Sequence, residues 1–220
     1  MDSFAASRTK MVDSQLRTEG VTDYGLLAAM GSVPRELFVP PTLKPFAYID
    51  NDIVLKRAGE PRCMMQPASL GRLLQLAEIS NSDNALDVGA GTGYGAAVMA
   101  RLARSVVALE SDPELAATAR QTLAALNVTN AKVISNSLEA GAAADGPYDV
   151  ILLEGAVPRV PTSLLAQLSE GGRLVAVIGE GWSAVATLFR KSGDDIGRRP
   201  AFNLALQPLP GFRQPASFVF

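Results

Sequence analysis

The chain has 220 residues, 48% of them hydrophobic, and sets 20 Lys and Arg against 22 Asp and Glu for a formal charge of −2. That length suits one globular domain, and the near-balanced charge supplies no global field to hold nucleic acid or an anionic membrane. There is no histidine and one cysteine, Cys63, which excludes imidazole catalysis, His-ligated metal, Ser-His-Asp and Cys-His nucleophiles and any intramolecular disulfide.

No run approaches the roughly 18 consecutive apolar residues of a membrane span, and residues 1–10 lack an apolar signal core. With a lone cysteine, the expectation is a cytoplasmic protein that carries no metal. The first predicted helix covers 7–18, with a stripe of Met11, Val12 and Leu16; a second follows a Thr22-Asp23 cap and stops at Val33-Pro34. Residues 40–61 read as an irregular layer of loops or a hairpin, with one apolar patch at 53–55. Pro67 suits the first turn of a helix that carries Leu70, Leu73, Leu74 and Ala77.

Short apolar runs then alternate with helical patterns. Strands are predicted at 85–88, 106–109, 131–134, 150–153 and 173–178, and helices at 94–102, 113–126 and 162–168. Continuous apolar strands are buried on both faces, which a parallel sheet covered by helices requires. The runs at 184–189 and 202–206, with no helix between them, read as an antiparallel hairpin. The fold class is α/β: a doubly wound, mostly parallel sheet with N-terminal helices and a C-terminal antiparallel hairpin. One domain over 1–220 is expected, with a helical and loop layer over about 1–66, an α/β core over 67–180 and a closing hairpin and tail over 181–220.

The chemistry-bearing segment is Asp87-Val88-Gly89-Ala90-Gly91-Thr92-Gly93-Tyr94-Gly95, where the first core strand turns into its helix. Alternate glycines let a ligand approach the backbone and leave main-chain N–H groups unobstructed. Glu110, at the end of the next strand, is placed to accept from both hydroxyls of a ribose. A dinucleotide is one reading. Asp87, however, gives nothing to a pyrophosphate and suits a ligand that carries an ammonium group. Asp87-x-Gly89-x-Gly91-x-Gly93 with Glu110 resembles motif I and the following acid of class I S-adenosylmethionine-dependent methyltransferases, a Rossmann-like fold.

The resemblance narrows with Met11-Val12-x-x-Gln15-Leu16-Arg17, Val33-Pro34-Arg35-Glu36-x-Phe38-Val39-Pro40, Gln66-Pro67, Tyr148-Asp149-x-Ile151 and Gln167-Leu168-x-x-Gly171-Gly172-Arg173-Leu174-Val175. Together these segments are similar to the protein-L-isoaspartate O-methyltransferases, over about residues 8–210. The resemblance implies methyl transfer to the carboxylate of isoaspartyl residues in damaged proteins or peptides, with S-adenosylmethionine as cofactor. It implies no nucleic-acid or membrane partner. A carboxylate of pKa about 3.5 is ionised at neutral pH and needs no general base, which suits a chain without histidine.

By the same resemblance, the donor-binding residues are Asp87, Gly89, Ala90, Gly91, Gly93, Glu110, Ser111, Asn136, Ser137 and Glu154. Three segments depart from the family pattern. The family's Gly-Gln-Thr-Ile-Ser before Gln-Pro is Pro61-Arg62-Cys63-Met64-Met65, so that Met65 stands where the serine nearest the reacting groups is expected. Arg62 and Met65 are the substrate-loop candidates, Arg62 either holding a substrate carboxylate bidentately or solvated. Gly-Asp-Gly beside the adenine is Asn136-Ser137-Leu138, and Thr-Ala-Ala-Ala-Pro is Glu154-Gly155-Ala156-Val157-Pro158. Glu154 has three open readings: a ligand of the donor's amino group, a wall of the substrate pocket, or a repeller of anionic substrates. A donor-binding relative with another acceptor or without turnover is the alternative function. Cys63 reads as a packed or idle thiol, and Trp182 as packing against the last hairpin in preference to covering the pocket.

Overall fold

The computed structural model describes residues 3–59 and 61–212; of the predicted tail, 213–220 lie outside them. The core is a seven-stranded sheet in the order β5-β4-β3-β6-β7-β8-β9. It comprises β3 (Asn84–Val88), β4 (Ser105–Glu110), β5 (Ala131–Ser135), β6 (Tyr148–Val157), β7 (Leu168–Ile178), β8 (Val185–Ser192) and β9 (Asp195–Asn203). Pairings from β5 through β7 are parallel, whereas β7 with β8 and β8 with β9 are antiparallel.

The chain steps outward from β3 to β4 and β5, then returns to the other side of β3 with β6. The strand order therefore reverses between β3 and β6, where open α/β sheets bind ligands beyond the carboxyl ends of their strands. Val88 pairs with Leu153 at that edge, so the loop after β3 and Glu154 of β6 leave the sheet side by side. Strands β3 and β6 are buried except at the half-buried Asn84, Asp149 and Glu154, with Leu86, Val88, Ile151 and Leu153 on one face and Ala85, Val150 and Leu152 on the other.

Helices α3 (Pro67–Ala77), α4 (Tyr94–Met99), α5 (Pro113–Ala125) and α6 (Thr162–Leu165) cover the sheet. Pro67 opens α3, whose Leu70, Leu73, Leu74 and Ala77 are buried, and Glu78 ends it at φ 50°. Two of the predicted helices are shorter than their patterns. The residues after Met99 form turns that lead to β4, and those after Leu165 lead directly into β7.

The N-terminal layer holds α1 (Ser3–Met11), which runs into a π-helical turn over Val12–Leu16, and α2 (Tyr24–Ser32). The Asp23 carboxylate caps α2 by accepting from the Leu26 N–H at 2.6 Å. Met11, Leu16, Leu26 and Met30 join Leu70 and Leu73 in one buried cluster, which fixes this layer to α3. Within the irregular segment lies a two-stranded antiparallel hairpin, β1 (Ile53–Lys56) and β2 (Arg62–Met64).

Two details differ from the sequence reading. The closing hairpin turns at Gly193 and Asp194, with Ser192 opposite Asp195, so its second strand starts at Asp195 rather than at 202. The polar run through Arg198, Arg199 and Pro200 is an exposed edge strand, where proline and charge are tolerated and no apolar alternation marks the element. Trp182 does not pack: it is 91% exposed, in a short 3-10 turn after β7, at the rim of a groove shared with Asp52 and Gln207.

Candidate active site

Asp87 and Val88 end β3, and the chain turns sharply through Gly89, Gly91 and Gly93, all at positive φ (85°, 57° and 92°). A side chain is excluded at Gly89 on packing grounds too, since a Cβ there would stand 2.6 Å from Leu209 Cδ2. Four amides of this loop are already engaged. Gly89 and Ala90 donate to the Leu109 carbonyl at 2.8 and 3.1 Å, Gly93 donates to the Ala90 carbonyl at 2.8 Å, and Gly91 donates to Glu110 Oε2 at 2.7 Å. No Cβ obstructs the glycine N–H groups, but these four amides are spent within the chain, where the loop closes on itself and on β4. A pyrophosphate needs such donors, so the loop is ill suited to the dinucleotide reading.

What the loop frames is acidic. Asp87 is wholly buried, and Glu154 is partly buried with its Oε1 fully so. Asp87 and Glu154 lie within hydrogen-bond reach of each other, and the Ala96 amide faces Asp87, but no cationic side chain bonds to either Asp87 oxygen or to Glu154 Oε1 among the described residues. The two carboxylates meet over Gly95, in the first turn of α4. A Cβ on Gly95 would overlap Glu154 Oε1 and stand 3.4 Å from Asp87 Oδ2. Burial pushes the Asp87 carboxyl up to about 7. Burial and then the charge of Asp87 push Glu154 well above the usual carboxylate range. A buried acid pair with no cationic partner of its own is costly for the fold, and it suits a cationic ligand.

Gly95→Ala tests this geometry directly. The added methyl displaces the Glu154 side chain, and affinity for an amine-bearing ligand is expected to fall about tenfold, since a hydrogen bond to a charged group contributes roughly 1.5–3 kcal/mol. Calorimetry on the folded variant measures it, and unchanged affinity would show that the Glu154 position does not matter.

Glu110, the third acid, is also wholly buried, but it is fully partnered. Arg62 of β2 forks onto it, with Nη1 3.0 Å from Oε1 and Nη2 2.8 Å from Oε2, and Nη2 also donates to the Gly89 carbonyl at 2.8 Å. The Gly91 and Asp112 amides supply further bonds at 2.7 and 2.9 Å. The structure therefore places Arg62 on the acid read as the ribose ligand; it is neither solvated nor turned to an open acceptor pocket.

Met65 is 4% exposed and packed in the core cluster. Its carbonyl accepts from Arg35 Nη2 at 2.5 Å. Ser111 is exposed, its hydroxyl 3.4 Å from Glu110 Oε1, while Asp112 rather than Ser111 caps α5. Asn136 and Ser137 are exposed in the loop after β5, and the Asn136 amide donates to the Glu110 carbonyl at 3.3 Å. Asp87, Glu154, the glycine loop and Glu110 are thus brought together at the sheet edge, with Asn136 and Ser137 beside Glu110.

Three participants were not read from the sequence. Arg35 is wholly buried, donates to the Ala47 carbonyl at 2.8 Å as well as to Met65, and lies 4.7 Å over the Tyr94 ring. Leu209, from the segment after β9, packs on Gly89 and Gly155. Leu55 of β1 lies over Gly91, 3.0 Å from where a Cβ would stand. Arg35 lies in a segment noted only for its resemblance, and neither leucine carries a local motif. The bland reading of Cys63 agrees with its half-buried thiol, which burial raises above the ordinary value.

A family model described as protein-L-isoaspartate(D-aspartate) O-methyltransferase matches residues 6–204. The protein-L-isoaspartate O-methyltransferase of Koribacter versatilis is 38% identical over 211 residues, 96% of this chain and 94% of that one. A solved protein-L-isoaspartate O-methyltransferase superposes with a TM-score of 0.81 at 26% identity, covering 93% of this chain and 66% of the other. A Plasmodium falciparum structure, described as such an enzyme in complex with S-adenosyl-L-homocysteine, shares the fold at 20% identity, TM-score 0.77, over 92% and 97% of the two chains.

Proposed function

Because the chain belongs to the protein-L-isoaspartate(D-aspartate) O-methyltransferase family, we propose that it methylates the carboxylate of L-isoaspartyl residues in damaged proteins, with S-adenosylmethionine as donor. The observation that carries this reading in the chain's own chemistry is the buried acid pair Asp87 and Glu154, bonded to no cationic side chain among the described residues, at the reversal of strand order. An amino acid's ammonium group fits that pair. The self-closed glycine loop fits a ligand held by packing rather than through phosphates.

In this reading Asp87 and Glu154 hold the donor's amino group, and Glu110 takes the ribose hydroxyls. Gly89, Ala90, Gly91 and Gly93 form the wall against which the ligand packs. Asn136 and Ser137, with Ser111, border the adenine side. The bound donor supplies a methyl group on a sulfonium, electrophilic enough for an ionised carboxylate to take it without a base. The protein has no proton to move and is left with positioning and exclusion of water. Arg35, by holding the Met65 carbonyl, fixes the backbone of the substrate loop. The thioether of Met65, where the family pattern has a serine, adds an apolar surface and no hydrogen-bond donor.

Among the described residues no helix is long and apolar enough to cross a membrane. The lone cysteine favours a reducing compartment, and we place the protein in the cytoplasm. The reading is tested by incubating the protein with methyl-labelled donor and an isoaspartyl peptide, alongside the same peptide with a normal aspartyl residue. Base-labile label on the isoaspartyl peptide alone is expected. No label, or equal label on both peptides, would overturn the assignment.

A further inference from the structure

Glu110 has two oxygens and roughly four lone-pair directions, and all are spoken for. Two Arg62 N–H groups, the Gly91 amide and the Asp112 amide lie within 3.0 Å of them. A ligand that bonds to Glu110 through two hydroxyls must therefore replace something. The amide donors are fixed: Gly91 belongs to the tight loop after β3, and Asp112 caps α5. Arg62 is different, because it reaches Glu110 from outside the α/β core, on a hairpin 48 residues earlier in the chain.

That hairpin lies directly over the loop. Leu55 covers Gly91, and Lys56 pairs with Asp112 at 2.6 Å and Glu114 at 3.0 Å. A 280 Å³ cavity bounded by Lys56, Gly59, Arg62, Asp112 and Pro210 lies beside the ion pair. Arg62 therefore has adjacent space into which to turn, and Gly59 at φ 74° gives the connecting loop a permissive joint.

We infer that Arg62 couples the two substrates: the ribose of the donor takes its place on Glu110, and the released guanidinium becomes the ligand of the acceptor's carboxylate. This rests on the methyl-donor reading and goes beyond it. A guanidinium turned off a buried carboxylate, beside the amides of a closed loop, still requires an anion, and the acceptor brings one. The isoaspartyl carboxylate and Glu110 then compete for one fork, and donor binding resolves the competition in favour of the acceptor. By linkage, acceptor binding strengthens donor binding by the same factor.

Calorimetry with S-adenosyl-L-homocysteine and an isoaspartyl peptide tests the coupling on the wild type and on Arg62→Gln. The variant should bind S-adenosyl-L-homocysteine at least about fivefold more tightly, since nothing has to be displaced. In the wild type, S-adenosyl-L-homocysteine should strengthen peptide binding by a similar factor and raise amide exchange across 53–64. In Arg62→Gln that strengthening should vanish. Arg62→Lys, which keeps the charge and loses the fork, should give the same changes to a smaller degree and serves if the glutamine variant does not fold. Equal or weaker binding of S-adenosyl-L-homocysteine by the folded variants, or peptide binding strengthened equally in both, would overturn the inference. Binding by neither wild type nor variant would overturn the methyl-donor reading as well.

Discussion

Asp87→Asn is expected to stabilise the protein in the absence of donor and to cripple donor binding. Asp87 is wholly buried with no cationic side chain on either oxygen, and a second carboxylate faces it over Gly95. An isosteric amide removes the cost of burying that charge, so the free protein should gain about 1–3 kcal/mol at pH 8 by chemical denaturation. The same change removes the charge-assisted contact to the donor's amino group, and affinity for S-adenosyl-L-homocysteine should fall about 10- to 100-fold by calorimetry. Opposite signs for stability and binding identify a site held under electrostatic strain for its ligand. A variant that lost stability and kept its affinity would make Asp87 a structural residue.

The second large effect is on pH dependence. Asp87 is raised to about 7 in the folded chain from an ordinary value near 3.8, and Glu154 is raised well above its own. Where pH is below about 4 these groups are protonated in both folded and unfolded chains, and the stability linked to them is fully present. As pH rises toward 7 the unfolded chain gives up its protons while the folded pair retains them, and stability falls progressively. At about 1.4 kcal/mol per unit for each group, Asp87 alone sets a loss on the order of 4 kcal/mol against the folded state by pH 8. Asp112 and Asp149 are shifted downward, Asp112 chiefly by Lys56 against its desolvation and Asp149 by the Asn84 amide. Their contributions have the opposite sign and are lost only as pH falls below about 4.

Donor affinity should run the other way. An ammonium group is bound by the ionised pair, so affinity for S-adenosyl-L-homocysteine should rise with pH up to about 7, at most about tenfold per unit for each proton released. Glu154→Gln leaves a single carboxylate and should flatten both profiles. Parallel profiles in the wild type and Glu154→Gln, from melting temperatures and calorimetry between pH 5 and 8, would remove Glu154 from the site.

Much of this was legible in the sequence where the signal is local. The span from Asp87 to Glu110 carries the strand, the glycine turn and the next strand's acid within one βαβ unit, and strand brevity announced the parallel sheet. Glu154 was visible as a carboxylate at a sheet edge, but its closeness to Asp87 was not, because that depends on β6 lying beside β3. The pairing of Arg62 with Glu110 joins residues from two layers of the fold, and no periodicity records it. The acceptors of the loop amides were not legible, because glycine reports conformational freedom and not which acceptor an N–H finds. Strand β9 was misplaced because an exposed edge strand needs no apolar alternation, and Trp182 because a large aromatic was assumed to be packed.

The most direct measurement is a crystal structure with S-adenosyl-L-homocysteine bound. The predicted result is the amino group within hydrogen-bond distance of Asp87 and Glu154, both ribose hydroxyls on Glu110, and the Arg62 guanidinium turned away from it. A ligand bound elsewhere, or bound with Asp87 and Glu154 still without partners, would contradict the donor site described here.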